Sequence, residues 1–97
     1  MHVISRKTLS EYWQAYPDIE ETLKAWYQEA NHANWKSFKD IKNRYKSADV
    51  LPNNRVVFNI KGNHYRLIVK INYSIGIIYI RFIGTHSEYD RIDAVNI

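Results

Sequence analysis

Apolar and polar residues alternate with two different periods, one in each half of the chain. Up to about residue 45 the apolar positions recur every three or four residues, which is the spacing of amphipathic helices. From Arg55 onward they recur every second residue, which is the spacing of strands. The pattern predicts helices followed by an antiparallel sheet and therefore an α+β protein. At 97 residues the chain is expected to form a single domain over residues 1–97.

Three helices are predicted in the first half. The first is capped by Ser5 and ends before Pro17, which can also begin the second. The apolar stripes consist of Leu9, Tyr12, Trp13 and Tyr16 in the first helix and of Ile19, Leu23, Trp26, Tyr27 and Ala30 in the second. The short third helix is expected to begin at Ser37, whose spacing from Asp40 is that of a capping box. Because their connection is so short, the first two helices should form a helical hairpin.

Three strands are predicted after a turn at residues 49–54, at about residues 55–61, 64–72 and 77–84. A two-residue loop at 62–63 pairs Lys61 with His64, Asn59 with Arg66, Val57 with Ile68 and Arg55 with Lys70. The next loop, residues 74–75 or 73–76, places Ile68 opposite Arg81 and Lys70 opposite Tyr79. The core face then holds Val56, Phe58, Ile60, Leu67, Val69, Ile71, Ile78, Ile80 and Phe82. A one-residue slip would turn this apolar set outward, so the register is well constrained.

The second face of the predicted sheet is basic. It collects Arg55, Asn59, Lys61, His64, Arg66, Lys70, Tyr79 and Arg81, together with Val57, Ile68 and Ile83. Residues 36–81 carry a net charge of +8, whereas the segments before and after them each carry −2. Cations interleaved with tyrosines suit single-stranded RNA, because they meet phosphates and stack on bases. A charged face that only keeps the sheet soluble is the alternative. The central positions of Arg66 and Arg81 favour RNA binding.

The residues after the third strand include a possible pair of proton carriers. Thr85 or Ser87 can cap a last helical turn, in which His86 and Tyr89 share one side. Cleavage of RNA by its own 2′-hydroxyl needs a base, an acid and a cation beside the phosphate, and it needs no metal. His86 and Tyr89 suit proton transfer, and Arg81 suits the developing charge. Taken alone, His86 also fits a hydrogen-bonded surface histidine, and Tyr89 fits a core anchor.

Several kinds of site are missing from the sequence. There is no Cys, no His pair at metal-ligand spacing, no glycine-rich phosphate loop and no Gly-x-Ser-x-Gly motif. We therefore expect neither a metal nor a cofactor. The N-terminus lacks the apolar stretch of a secretory signal, and the longest apolar run is too short to cross a bilayer. The expectation is a soluble cytoplasmic protein without a membrane partner.

Two long stretches of the sequence resemble the HigB family of toxins, within the RelE/ParE superfamily. They are residues 55–73, RVVFNIKGNHYRLIVKINY, and residues 79–90, YIRFIGTHSEYD. The N-terminal Ile-Ser-Arg-Lys, the Trp26-Tyr27 segment and residues 34–37 are similar to the family as well. The resemblance implies a RelE-like fold, in which the helical hairpin and the short third helix pack on a three- to four-stranded antiparallel sheet.

The resemblance also implies a function. It indicates a toxin of a type II toxin–antitoxin system that acts as a ribosome-dependent mRNA endonuclease, or mRNA interferase. The expected partners are the ribosome, mRNA and a cognate helix-turn-helix antitoxin of the HigA type, which can form a heterotetramer with the toxin. Arg66, Arg81, His86 and Tyr89 fall near the positions where relatives carry catalytic residues. The RNA-binding set is expected to be Arg55, Asn59, Lys61, His64, Lys70 and Tyr79.

The sequence departs from its relatives at two strand positions. Some relatives carry lysines where this chain has Val57 and Asn59. Lys61, His64 or Lys70 would then have to supply that charge, and the general base stays open. Two other function classes also stay open: a non-catalytic binder of RNA or ribosomes, and a topoisomerase poison of the ParE type, against which the basic strand face argues.

Overall fold

The computed structural model describes residues 1–97 and contains four α-helices and five strands. In chain order the elements are β1 (His2–Ile4), α1 (Arg6–Ala15), α2 (Glu20–His32), α3 (Phe38–Arg44), β2 (Asp49–Leu51), β3 (Arg55–Ile60), β4 (Tyr65–Asn72), β5 (Ile77–Thr85) and α4 (His86–Tyr89). A single 3₁₀ turn, Pro17–Ile19, separates α1 from α2. The α+β class is thereby confirmed. None of the helices combines the length and apolar character needed to span a bilayer.

The helical hairpin begins and turns as its sequence predicts. The Ser5 hydroxyl accepts a hydrogen bond from the backbone N–H of Thr8 at 3.4 Å and caps α1. Pro17 begins the 3₁₀ turn rather than α2 itself, which starts at Glu20. Most residues of the apolar stripes point inward, since Leu9, Trp13, Leu23, Trp26 and Ala30 are all buried. Tyr16 is the exception: it lies just after the last turn of α1 and is 41% exposed.

The predicted capping box of α3 does not form. Ser37 occupies the N-cap position, but its side chain makes no capping hydrogen bond. The Asp40 carboxylate instead accepts from the backbone N–H of Lys36 at 2.8 Å. The carboxylate therefore satisfies an N–H one residue before the cap, and the helix starts without the help of the serine.

The sheet has five strands rather than three or four, in the order β1-β5-β4-β3-β2. The two additional strands are its edges. β1 runs parallel to β5, so the sheet is mixed, and β2 pairs antiparallel with β3. The sequence prediction missed both because each has only three residues, too few to show a period of two. Asp49–Leu51, predicted as the start of a turn, is the strand β2.

The register of β3 with β4 is the predicted one for Arg55–Lys70, Val57–Ile68 and Asn59–Arg66. The predicted pair of Lys61 with His64 does not form, since both residues lie in a four-residue turn. That turn has left-handed backbone at Lys61 (φ 53°) and Gly62 (φ 66°), which shortens both strands by one residue. The loop between β4 and β5 spans residues 73–76, because Asn72 pairs with Ile77.

A β-bulge in β5 changes the predicted faces of the sheet. Val69 pairs with Ile80 and Ile68 pairs with Phe82, so Arg81 is the extra residue and does not lie opposite Ile68. The bulge reverses the alternation after Ile80. Ile83 therefore packs against the core, and Phe82 lies on the opposite face. There the Phe82 ring approaches Gly84 so closely that a Cβ at position 84 would come within 2.5 Å of its Cζ.

The core lies between the helices and one face of the sheet. A cluster of 17 buried residues joins α1, α2 and α3 to β1, β3, β4 and β5. At its centre Trp26 meets Phe58 edge-on, with ring centroids 5.3 Å apart. Truncation of such a ring to Ala costs about 3–5 kcal/mol of unfolding free energy. This packing holds the sheet rigid and leaves its other face, here called the outer face, to carry a site.

Candidate active site

The outer face is not an open basic surface along its whole length. Val57 is 4% exposed and Ile68 is fully buried, although neither belongs to the helix-side core. The chain after α4 returns to this face: the Val95 carbonyl accepts from the Asn53 side chain at 3.3 Å, and the Ile97 carbonyl accepts from Arg55. This C-terminal segment therefore reaches the Arg55 end of the face, and two accessible regions remain on the face beside it.

The first region is built around Arg66, which β4 places opposite Gly84 of β5. The Arg66 side chain is 9% exposed. Its Nη1 donates to the backbone carbonyls of Asn63 at 3.1 Å and Tyr65 at 3.4 Å. Its guanidinium carbon lies 5.8 Å from the centroid of the Tyr89 ring. The turn, the strand and α4 thus fix the guanidinium, while Nε and Nη2 make no hydrogen bond within the chain.

The helix α4 brings a histidine to this region. Thr85 and Glu88 form a reciprocal capping box, in which each side chain accepts a hydrogen bond from the other residue's backbone N–H. This box confirms the last helical turn and one of the two predicted caps. The exposed His86 lies one residue into the helix, and its Nδ1 is 3.1 Å from Asp90 Oδ2. Nδ1 is engaged with the carboxylate, and Nε2 makes no hydrogen bond within the chain.

A second histidine lies beside His86. The backbone N–H of His86 donates to the His64 carbonyl at 3.0 Å, which continues the β4–β5 pairing by one residue. His64 is exposed, and its side chain makes no hydrogen bond. It was expected to bind RNA, and the structure places it next to a predicted catalytic residue. We call His64, Arg66, His86 and Tyr89 the catalytic cluster, after the role that the sequence predicts for the last three.

Arg81 does not join this cluster. The bulge sets it three residues from Gly84, about 10 Å along the strand. Its guanidinium carbon lies 5.7 Å from the Tyr79 ring, which places the side chain on the far side from Arg66. The structure therefore brings together three of the four residues predicted to be catalytic. Arg81, Tyr79 and Lys70 form the second accessible region of the outer face.

Three residues of the predicted RNA-binding set are engaged within the fold. Arg55 is 8% exposed and donates to the carbonyls of Asn53, at 2.9 Å, and Ile97. The Asn59 amide donates to the Ser47 carbonyl at 3.0 Å. Lys61 forms an ion pair with Asp18 at 3.2 Å. These contacts tie both ends of β3 to the rest of the fold, although the side chain of Lys61 remains 45% exposed.

The Lys61–Asp18 pair anchors the turn that holds Arg66. Asp18 also accepts from the Tyr65 hydroxyl at 3.1 Å. Burial acts to raise the pKa of the Asp18 carboxyl, but the hydrogen bonds from Lys61 and Tyr65 outweigh it and lower the pKa. Burial, followed by Asp18, raises the pKa of Tyr65. The phenol therefore stays protonated as a donor, and the turn is tied to the helical hairpin at physiological pH.

Three tyrosines form an aromatic cluster between α1 and the start of β4. The Tyr12 and Tyr16 rings stack with centroids 4.6 Å apart, and Tyr65 meets Tyr12 edge-on at 6.2 Å. Burial raises the pKa of Tyr12, and the negative charge of Glu88 raises it further. Glu88 therefore has two neighbours, the capping box that it forms with Thr85 and the Tyr12 phenol whose pKa it raises.

The outer face offers no arrangement of metal ligands. No group of three or more His, Cys, Asp or Glu side chains is positioned to hold a metal ion. The groups that the catalytic cluster does present are two imidazoles, a phenol and a guanidinium. Such groups can transfer protons and stabilise an anion.

Comparisons with known proteins identify the family of the chain. A family model for HigB toxins, the RelE-like toxic component of a toxin-antitoxin system, matches residues 19–92. The mRNA interferase toxin HigB of Escherichia coli strain K12 is 30% identical over 98 residues, which cover 99% of this chain and 94% of that protein. An mRNA interferase HigB of Shigella flexneri shows the same identity and coverage.

A more distant relative supports the same assignment. The mRNA interferase HigB of Escherichia coli O6:H1 is 24% identical over 94 residues, which cover 95% of this chain and 91% of that protein. The matches extend over the helical hairpin, the sheet and α4, and they confirm the resemblance found in the sequence. The chain belongs to the HigB family of RelE-like toxins of toxin–antitoxin systems.

Proposed function

We propose that this toxin is an mRNA endonuclease whose catalytic cluster cleaves RNA by attack of a 2′-hydroxyl on the adjacent phosphate. One observation carries the proposal. The Arg66 guanidinium lies against Tyr89, and Arg66 pairs with Gly84 on the strand that leads into His86. The Nδ1 atom of His86 is in turn held by the Asp90 carboxylate. A positioned cation beside an oriented base is the combination that this reaction requires. The names of the relatives, mRNA interferases, agree with it.

In the proposed reaction the O2′–P bond forms as the P–O5′ bond breaks. His86 Nε2 takes the proton of the 2′-hydroxyl, and Asp90 stabilises the imidazolium that results. Tyr89 donates a proton to the departing 5′-oxygen. Arg66 faces the phosphate and stabilises the charge that develops on its oxygens. The products are a 2′,3′-cyclic phosphate and a free 5′-hydroxyl, and the reaction as proposed requires no metal.

His64 adds a cationic or hydrogen-bonding group on the same side as His86. Its backbone is tied to that of His86, so both imidazoles approach one stretch of the substrate. We assign His64 to contact the phosphate backbone of the RNA. At two positions where some relatives carry lysines, this chain has the buried Val57 and Asn59, whose amide donates to the Ser47 carbonyl. In the proposal His64 supplies the positive charge that is missing at these positions.

A toxin of this family has a cognate antitoxin as its partner. We propose that the antitoxin is a HigA-like helix-turn-helix protein that assembles with the toxin as a heterotetramer. We further propose that the working substrate is mRNA on the ribosome, in the cytoplasm. The basic middle of the chain, net +8 over residues 36–81, supports a large polyanionic partner.

The proposal can be tested by primer-extension mapping of a defined mRNA. The protein is added to translating ribosomes and, separately, to the naked transcript. We expect in-frame cuts only on ribosomes, and no cuts with a variant that combines Arg66→Ala and His86→Ala. Ribosome binding without cuts by the unchanged protein would identify a non-catalytic binder. Equal cutting of naked mRNA would refute dependence on the ribosome.

A further inference from the structure

The second accessible region of the outer face is a pocket at the far end of the sheet from the catalytic cluster. It has a volume of about 670 Å³, within the usual range for small-molecule sites. Its polar lining residues are Asn54, Lys70, Asn72, Ser74, Tyr79 and Arg81. None of the residues that line it is acidic. The pocket is therefore suited to an anionic ligand with hydrogen-bonding edges.

The two cations of the pocket have no partner in the chain. Neither Lys70 nor Arg81 takes part in an ion pair or a side-chain hydrogen bond, whereas Lys61 pairs with Asp18. Lys70 is half-buried and lines the pocket. Two unpaired cations without a nearby carboxylate create a positive potential inside a concave surface, which attracts phosphate.

The pocket also offers a platform for a planar group. The Arg81 guanidinium lies over the Tyr79 ring at 5.7 Å, so the tyrosine holds the guanidinium in place. Guanidinium groups and aromatic rings both stack on unpaired bases of single-stranded RNA. Tyr79 and Arg81 are two residues apart on β5, so both side chains belong to the outer face.

Two amides can read the edge of a stacked base. Asn72 Oδ1 accepts from the backbone N–H of Ile75 at 3.2 Å, which fixes the side chain and leaves its NH₂ group free. The Asn54 side chain makes no hydrogen bond, although its carbonyl is held by the Ile71 N–H at 3.0 Å. An asparagine amide presents a donor and an acceptor side by side, a pattern that matches base edges.

We propose that this pocket binds one nucleotide of the RNA strand beside the cleaved bond and so contributes to sequence preference. Lys70 contacts the phosphate, Arg81 stacks on the base, and Asn54 and Asn72 contact the base edge. The inference rests on the proposed RNA cleavage, since it places a flanking nucleotide of that substrate. Arg66 and Lys70 lie four residues apart on β4, about 13 Å, so the pocket cannot hold the scissile phosphate itself.

The test measures the binding of a short fluorescein-labelled RNA whose 2′-hydroxyls are methylated to prevent cleavage. Fluorescence anisotropy gives its Kd over a series of KCl concentrations. Lys70→Gln and Arg81→Gln are each expected to weaken binding about tenfold, and Lys70→Gln to reduce the salt slope by about 0.7, the loss of one phosphate contact. Lys39→Gln, an exposed lysine on the helix side of the fold, is the matched control.

Kd values and salt slopes of Lys70→Gln and Arg81→Gln equal to those of Lys39→Gln would overturn the inference. So would competition by inorganic phosphate as effective as competition by unlabelled RNA, because the pocket would then be a simple anion site. Asn72→Ala is expected to change which base is preferred in a panel of such RNAs, and an unchanged preference would remove base reading from the inference.

The same variants separate this inference from the proposed function. In ribosome mapping, Arg81→Gln should shift the set of cut positions while cutting continues. An unchanged set of positions at an unchanged rate would overturn the pocket assignment and leave the endonuclease intact. If the unchanged protein does not cut at all, the proposed function fails, and the anisotropy measurements still decide whether the pocket binds RNA.

Discussion

Arg55 and Arg66 are the two buried arginines of the molecule, at opposite ends of the same outer sheet face. Their side chains are 8% and 9% exposed, and both donate to backbone carbonyls. Arg55 is covered by Ile97, and its Nε is buried without a partner. Arg66 rests on Tyr89 beside His86 and His64, and none of its side-chain nitrogens is both buried and without a hydrogen-bond partner.

The comparison shows that burial and charge alone do not identify a catalytic arginine. Both guanidiniums lie on β-strands, and both are ordered by carbonyl oxygens. They differ in what surrounds the remaining nitrogens: the C-terminal segment at Arg55, and groups capable of proton transfer at Arg66. We therefore interpret Arg55 as a structural cation and Arg66 as the cation that meets the phosphate.

The largest effect should come from the base beside Arg66. His86→Ala is expected to lower the single-turnover cleavage rate of ribosome-bound mRNA about 10²–10⁴-fold, the usual contribution of a general base. His2→Ala, an exposed histidine on the edge strand β1, is the matched control and should cut at the normal rate. If the cleavage rate of His86→Ala is within threefold of normal, another residue is the general base, and His64 is the first candidate.

Removal of the structural arginine should change stability rather than chemistry. Arg55→Ala takes away the donors for the Asn53 and Ile97 carbonyls, and we expect a loss of about 1–3 kcal/mol in unfolding free energy. Urea denaturation measures this loss. The residues after α4 should also become more sensitive to limited proteolysis. Unchanged stability with unchanged proteolysis would show that the C-terminal segment is held by its apolar residues alone.

The carboxylate behind His86 should have a smaller effect than His86 itself. Asp90→Asn keeps the size of the side chain but removes the charge that favours the imidazolium, and we expect a rate loss of about tenfold, or ~1.4 kcal/mol. The exposure of the pair limits the effect. Asp93→Asn, which alters a carboxylate bonded to Asn96, is the control. Equal rates for the two variants would mean that Asp90 does not orient the base.

The smallest effect concerns the anchor of the turn that holds Arg66. Because folding lowers the pKa of Asp18 from its ordinary value of 3.8, the unfolded chain binds more protons near that pH. The contribution of the Asp18 carboxylate to the free energy of unfolding is therefore complete above about pH 5. It is lost as the pH falls through the pKa of Asp18 in the folded protein. Asp18→Asn should be less stable than the unchanged protein at pH 7, and the difference should narrow in acid. A difference that is constant with pH would contradict this account.

Local patterns were sufficient to predict much of the fold. Alternation from Val56 to Ile60 and from Leu67 to Ile71 gave the β3–β4 register, because one face had to be buried. The same reasoning could not predict the bulge at Arg81. Residues 77–83 are mostly apolar, so one extra residue does not change the pattern visibly. The edge strands were too short to show a period, and the pairing of β1 with β5 depends on contacts distant in sequence.

The candidate site was predictable only in part. Arg66, His86 and Tyr89 were expected to act together, and their side chains come from one end of the sheet. The pairing of His64 with His86 required the strand register to be extended by one residue. The contact between Arg55 and Ile97 was not predicted, because it depends on the path by which residues 90–97 return to the sheet. Ile92, Val95 and Ile97 were a signal, since apolar residues in a tail often mark a packed segment.

The most direct test of the account compares the two buried arginines in one assay. Single-turnover cleavage of ribosome-bound mRNA is measured for the unchanged protein, Arg66→Ala and Arg55→Ala, at a temperature where all three are folded by circular dichroism. The account predicts a loss of about 10²–10³-fold for Arg66→Ala, the size expected for a lost transition-state contact, and a rate within threefold of normal for Arg55→Ala. Equal losses in both variants, or normal cutting by Arg66→Ala, would contradict the assignment of the active site.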